Sequence, residues 1–92
     1  MASMIYPEQA KNRTFVLTWE GLSFAGKAID LMVEENGGRK LIGTISTKEE
    51  LEAGKEFDYN GSKIFVQYKK VFAFIKELAV LVDGVKVAGR SL

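Results

Sequence analysis

The chain contains no cysteine, no histidine and only one proline among its 92 residues. Without cysteine it can form no disulfide framework, and a cytoplasmic location is the simplest expectation. Without histidine it lacks the side chain that most often acts as a general base or a metal ligand near neutral pH. The sequence therefore offers little on which to build catalysis or metal binding.

An excess of charge of either sign is also missing, because 13 Lys and Arg residues face 12 Asp and Glu residues and the formal net charge is +1. A nucleic-acid-binding domain usually carries a strong basic excess, since each phosphate contact adds affinity through the release of counterions. We therefore expect a protein partner rather than nucleic acid.

Long hydrophobic runs are absent as well. The first apolar run, residues 15–17, is too short for the core of a signal peptide, and the longest, residues 71–82, is interrupted by Lys76 and Glu77. No stretch approaches the ~20 apolar residues that a membrane helix needs, so no membrane contact is expected. A chain of this length fits one domain, and we assign residues 13–92 to a β domain, 4–12 to an N-terminal extension and 1–3 to a remnant of cloning.

Two dipeptides near the C-terminal end, Asn60-Gly61 and Asp83-Gly84, carry the strongest structural signal that is present. Both can hold the positive φ angles of a two-residue turn, and both lie between β-branched and aromatic residues, which predicts β-hairpins. The two registers pair Asp58 with Lys63, Phe57 with Ile64, Val82 with Val85 and Val80 with Val87. We predict a small antiparallel β-sandwich of roughly seven strands.

Two earlier segments, residues 14–19 and 27–34, alternate between apolar and polar residues as half-buried strands do. The loop at residues 36–38 is predicted to contain three residues, because this register pairs Glu35 with Arg39 and Val33 with Leu41. The same register places Leu31 opposite Gly43 and Ile29 opposite Ile45.

Two segments allow more than one interpretation. Residues 47–53 have the form of a capping box followed by a glycine, which fits either a single helical turn or a polar connection between the sheets. Residues 71–82 satisfy helical spacing, but their valines and phenylalanines favour strand, with a bend or hairpin apex at Lys76-Glu77.

No constellation of residues points to catalysis, since no base is placed beside a nucleophile. An acidic cluster could supply metal ligands, but interleaved lysines neutralise it and its spacing fits no calcium loop, so a solvated charged face is the preferred interpretation. The cluster consists of Glu49, Glu50, Glu52, Glu56 and Asp58. We expect no enzyme activity, no cofactor and no metal.

Apolar residues on faces opposite to the expected core indicate either a second layer or a binding patch. These are Val16, Met32, Ile42, Phe65 and Leu81. The leading functional hypothesis is a non-enzymatic protein-interaction or structural β domain that binds through an exposed strand edge. The alternative is weak binding of single-stranded nucleic acid through Lys69, Lys70 and exposed aromatic residues. The candidate partner-binding residues are Phe65, Tyr68, Lys69, Lys70 and Val71, and the oligomeric state stays open.

The order of three segments resembles the Fas apoptosis inhibitory molecule family. The segments are an early strand that ends near a tryptophan and a Glu-Gly pair (residues 13–21), a Gly-x-Glu-Phe entry (residues 54–57), and an apolar strand that leads into a turn (residues 78–85). The resemblance implies a compact β-sandwich domain that acts in the cytoplasm through protein contacts and has no catalytic motif. Animal members have two such domains where this chain has the length of one, so the resemblance does not extend to an apoptosis-related role.

Overall fold

The structure is a computed structural model that describes residues 2–20, 28–72 and 75–91. Within these ranges the chain forms nine β-strands, one short α-helix and a single 3-10 turn at Gln9–Lys11. The strands are β1 (Ala2–Glu8), β2 (Arg13–Trp19), β3 (Ile29–Glu35), β4 (Gly38–Ile45), β5 (Lys55–Tyr59), β6 (Ser62–Phe72), β7 (Ile75–Val82), β8 (Val85–Val87) and β9 (Arg90–Ser91), and the helix is α1 (Lys48–Ala53). The sequence predicts that the strand corresponding to β3 begins at Lys27, but this residue lies outside the described residues.

The strands form two antiparallel sheets, one in the order β4-β3-β2-β1-β9 and the other in the order β5-β6-β7-β8. Both sheets contribute to one apolar core, which confirms the predicted all-β antiparallel sandwich. Its buried members are Tyr6, Phe15, Leu17, Trp19, Ile29, Leu31, Val33, Ile45, Leu51, Ile64, Val66, Leu78, Val80 and Val82. The core faces predicted for β2 and β3 are confirmed, because the predicted inward residues of both strands belong to this core. The half-buried pattern holds for β3 but is wrong for β2, in which Val16 and Thr18 on the other face are buried as well.

The N-terminal segment was predicted to be an extension outside the domain, and this prediction is wrong. Residues 2–8 form β1, which pairs with β2 along its whole length and places Tyr6 in the core opposite Phe15. β9 pairs only with Met4 and Ile5. At Pro7 the strand therefore lies at the edge of the sheet, where a residue without an amide hydrogen is tolerated.

The hairpin between β3 and β4 differs from its predicted register near the loop. The turn has two residues, Asn36 (φ 53°) and Gly37 (φ 77°), so that Glu34 pairs with Arg39. A β-bulge then restores the predicted pairing of Leu31 with Gly43. Ile42 is the extra residue of the bulge, and it packs against the core instead of pointing outward as predicted.

The two hairpins of the second sheet have the predicted registers. Asn60 and Gly61 adopt φ angles of 49° and 81°, and Asp83 and Gly84 adopt φ angles of 51° and 82°. These are the conformations of two-residue turns with both central residues at positive φ. Asp58 pairs with Lys63, Phe57 with Ile64, Val82 with Val85 and Val80 with Val87.

The capping box at residues 47–53 forms a helix, α1. The Thr47 hydroxyl accepts a hydrogen bond from the Glu50 amide (3.1 Å), and Leu51 anchors the helix in the core. Gly54 ends the helix at φ 93°, and a Cβ atom there would lie 2.1 Å from Cζ of Phe65. The Lys55 ammonium and the Ser46 amide, which both donate to the Glu50 carboxylate, hold its pKa below the usual range.

The described part of the ambiguous segment, residues 71–72 and 75–82, is strand, as the β-branched residues favoured. Residues 73 and 74 lie outside the described residues. The predicted bend or hairpin apex at Lys76-Glu77 is wrong, because both residues lie within β7 and pair with Lys70 and Lys69.

A buried ion pair closes one end of the sandwich. Arg13 Nε donates to Glu8 Oε1 (2.7 Å), with side-chain exposures of 3% and 14% respectively. Its Nη2 donates to the hydroxyl of Ser62 in the other sheet (2.9 Å). The guanidinium also lies 5.0 Å from the ring centroid of Phe15 and 5.8 Å from that of Tyr59, which adds cation–π attraction.

The Gly61→Val substitution is expected to destabilise the fold by about 1–3 kcal/mol, because valine disfavours the positive φ that the turn requires. No atom lies within 4 Å of the position that the new Cβ would take, so backbone strain is the source of the cost. Thermal unfolding measures the effect, at roughly 4–8 °C per kcal/mol for a domain of this size. Lys63→Val, at an exposed strand position, should stay within about 0.5 kcal/mol of the parent. Equal melting temperatures for Gly61→Val and the parent would contradict the strained-turn argument.

Two arginine–glutamate pairs across neighbouring strands provide a matched test of burial. Arg13→Ala leaves the Glu8 carboxylate in a buried position without its cation, and the expected loss is about 3–5 kcal/mol in the free energy of unfolding. Arg39→Ala breaks the Arg39–Glu34 pair, whose side chains are 46% and 42% exposed, so the expected loss is at most about 1 kcal/mol. Urea denaturation of both variants measures the difference, and similar losses would refute the role given to Arg13.

Candidate interaction surface

One strand of the second sheet extends well beyond its neighbour. β5 pairs with β6 only as far as Lys55 opposite Val66, whereas β6 continues to Phe72 with β7 as its partner. Gln67 Nε2 donates to the Glu52 carbonyl (3.0 Å), so the end of α1 covers the first residue of this extension. Farther along the strand, residues 69–72 have no strand on the β5 side in the part of the chain that the structure describes. We call residues 67–72 the β6 overhang.

The predicted partner-binding residues all lie on β6, but they do not share one face. Phe65 is half-buried on the outer face of the sheet, over Gly54. Tyr68 lies on the inner face and packs against the core. Lys69 and Lys70 are exposed on the overhang, on opposite faces. Val71 is the extra residue of a bulge, and its side chain lies outside the described part of the structure.

The overhang has a basic and aromatic character. Lys69 pairs in register with Glu77, whereas Lys70 lies opposite Lys76, so two cations meet on one face. Phe72 follows with 73% of its surface exposed. A single exposed apolar side chain is common on protein surfaces, so Phe72 is of interest because of the lysines that lie beside it on the same strand end.

A cleft adjoins the inner side of the overhang, where β1 of the first sheet faces β7 of the second. Tyr6 lies at its base and donates a hydrogen bond from its hydroxyl to the Leu78 carbonyl (2.7 Å). Burial raises the pKa of the Tyr6 phenol, and the nearby Glu77 carboxylate raises it further. The Lys76 ammonium lies 5.4 Å from the ring centroid of Tyr68 at the mouth of the cleft.

Among the described residues, no group of three or more acidic side chains converges in a way that could hold a metal ion. The predicted acidic cluster is instead divided between ion pairs, because Glu50 pairs with Lys55 while Glu56 and Asp58 pair with Lys63. No helix in the described ranges is long and apolar enough to cross a bilayer.

Sequence reasoning missed the cleft residues of β1. Met4, Ile5 and Tyr6 form a short run of residues that is compatible with a strand, but the run lacks apolar–polar alternation and Pro7 follows it. The exposure of Phe72 was missed because it depends on how far β6 extends beyond β5, and this length difference arises from contacts distant in sequence.

Tyr6→Phe removes the hydroxyl that donates to the buried Leu78 carbonyl, and the expected cost is about 1–3 kcal/mol in the free energy of unfolding at pH 8. In the parent, the pKa of the Tyr6 phenol is higher in the folded state than in the unfolded state, so folding favours the neutral phenol.

This preference contributes fully to the free energy of unfolding below pH ~10, the pKa of the unfolded state. The contribution is lost as the pH rises through the higher pKa of the folded state, by at most about 1.4 kcal/mol per pH unit. Denaturant unfolding at pH 8 and pH 11 should show a larger fall for the parent than for Tyr6→Phe. Tyr59→Phe, which removes a half-buried hydroxyl bound to Glu35, should cost less at pH 8 because that carboxylate can return to water.

No protein-family model, curated protein or solved structure matches the chain.

Proposed function

We propose that this chain is a non-enzymatic protein-interaction module that binds an extended acidic peptide segment along the β6 overhang. The observation that carries the proposal is the edge formed by residues 69–72, which has no neighbouring strand on the β5 side among the described residues and carries exposed lysines and an exposed Phe72.

A strand edge without a neighbour presents amide and carbonyl groups in the spacing that a further strand requires. Addition of an extended peptide satisfies those groups and is a recurrent mode of peptide recognition. Residues 69–72 of the overhang span the length of a short strand, and alternate residues of this stretch direct their amide and carbonyl groups away from β7.

The charges on the overhang favour one class of partner. Lys69 and Lys70 would oppose like charges if two copies of this edge paired with each other, and lysines on edges disfavour such self-association. The same two lysines attract acidic side chains on an incoming strand and accelerate the encounter. Phe72 supplies a large apolar contact of the kind that often dominates binding energy. The resemblance to the Fas apoptosis inhibitory molecule family would imply the same general class of function.

Peptide selection tests the proposal. We expect a random-peptide display library panned on the parent protein to yield sequences in which acidic and apolar residues alternate. Lys69→Glu combined with Lys70→Glu should weaken a selected peptide by about tenfold or more, because both attractive charges become repulsive. Lys40→Glu combined with Lys48→Glu makes the same change in net charge at two exposed lysines elsewhere and should leave the affinity unchanged.

Amide chemical shifts locate the peptide. Changes concentrated in residues 67–72 are the expected result. Peptides without acidic residues that bind the parent and both double variants equally, or shift changes confined to β4, would refute the proposed edge.

The alternative, binding of single-stranded nucleic acid, draws support from the same lysines and from Phe72 as a surface for base stacking. Phe65, which was expected to share in stacking, is half-buried over Gly54 and is less suited to it. Titration with a single-stranded oligonucleotide at low salt separates the two functions. The electrostatic attraction is strongest under that condition, so the absence of binding there would eliminate this alternative.

A further inference from the structure

The cleft beside the overhang is a second candidate site, distinct from the strand edge. We propose that it binds an amphipathic monoanion, that is, an apolar chain or ring that carries a single carboxylate. The inference does not rest on the proposed peptide binding, because the two sites use different side chains.

The walls of the cleft change from apolar and buried to charged and exposed. Tyr6 and Leu78, which are buried, form its base, and Met4, Tyr68 and Val87 are half-buried along its sides. Its volume of about 520 Å³ lies within the range of roughly 300–1,000 Å³ that is common for small-molecule sites. An apolar group of a ligand could therefore pack against the Tyr6, Leu78, Met4 and Val87 side chains while a polar head lies near the charged ones.

The backbone at Gly89 helps to shape the base of the cleft. A Cβ atom at this position would lie 2.3 Å from Cε1 of Tyr6. The absence of a side chain allows the Tyr6 ring to remain where its hydroxyl reaches the Leu78 carbonyl.

The charges at the mouth select the head group. The described lining contains two cations, Lys76 and Lys86, and one carboxylate, Glu77. Lys86 forms an ion pair with Glu77. The remaining positive charge, that of Lys76, is held over the Tyr68 ring at the entrance, where it matches one negative charge on a ligand.

Two probes with the same chain length and opposite head groups test the proposal. Decanoate and decyltrimethylammonium are titrated separately into the parent protein below the concentrations at which they form micelles, and the Met4 methyl and the Leu78 and Val87 amide resonances are followed. Decanoate should shift these signals saturably, and decyltrimethylammonium should bind at least about tenfold more weakly, because it meets a like charge at Lys76.

Substitution of Lys76 tests the charge argument directly. Lys76→Glu should weaken decanoate by about three- to tenfold and strengthen the cationic probe, and Lys76→Gln should give an intermediate affinity for both. Lys48→Glu, on the exposed surface of α1, should leave both affinities unchanged. Lys69→Glu alone, on the face opposite to Lys70 and Lys76, should weaken the selected peptide and still allow decanoate to bind, so failure of peptide binding and failure of this proposal can be told apart.

Three results would overturn the inference. The first is the absence of any saturable shift with decanoate, and the second is equal affinity for the two probes. The third is a Lys76→Glu variant that melts like the parent and binds decanoate as the parent does.

Discussion

The buried guanidinium of Arg13 is the interaction on which closure of the sandwich depends. A cation removed from water costs several kcal/mol unless it is both paired and hydrogen-bonded. Arg13 meets this condition only when β1 supplies Glu8 and β6 supplies Ser62, so its pairing requires that the N-terminal strand and both sheets are in place together. The charge thus makes the assembly of three separate chain segments cooperative.

This arrangement also gives the molecule two unlike ends. Ser62, at the start of β6, lies against Arg13 in a closed polar cluster. Phe72, at the other end of the same strand, is largely exposed, and residues 69–72 have no neighbour on the β5 side within the described ranges. One end of the strand is therefore tightly packed and the other is open to solvent. Regions used for binding are commonly drawn from such less tightly packed parts of a fold.

The features that could be predicted from the sequence are those with local causes. The turn at Asn60-Gly61 needs positive φ angles that these two residues tolerate well. For α1 the local signals at Thr47 and Gly54 allowed either a helical turn or a polar connection, and the burial of Leu51 in the core accompanies the helix. The bulge at Ile42 could not be predicted, because a regular two-residue hairpin is locally acceptable and only the core on the other side of the strand requires the extra residue. The β6 overhang escaped prediction for a related reason, since an edge is defined by where a neighbouring strand stops. Of the candidate site, the lysines and the strand that carries them were identified, whereas Phe72 and the cleft residues of β1 were not.

Two independent constraints, one on the backbone conformation and one on the space for a side chain, require glycine at residue 54. Its positive φ disfavours any residue with a Cβ atom, and the Phe65 ring occupies the space that such an atom would need. A smaller side chain at residue 65 would make space for a Cβ atom at residue 54 but would not change its positive φ. No single substitution elsewhere therefore allows residue 54 to be anything other than glycine without strain. Distant relatives could therefore be recognised by one pattern after the rest of the sequence has diverged. The pattern is a glycine directly after a short helix and an aromatic residue eleven positions later, on the second strand of the following hairpin.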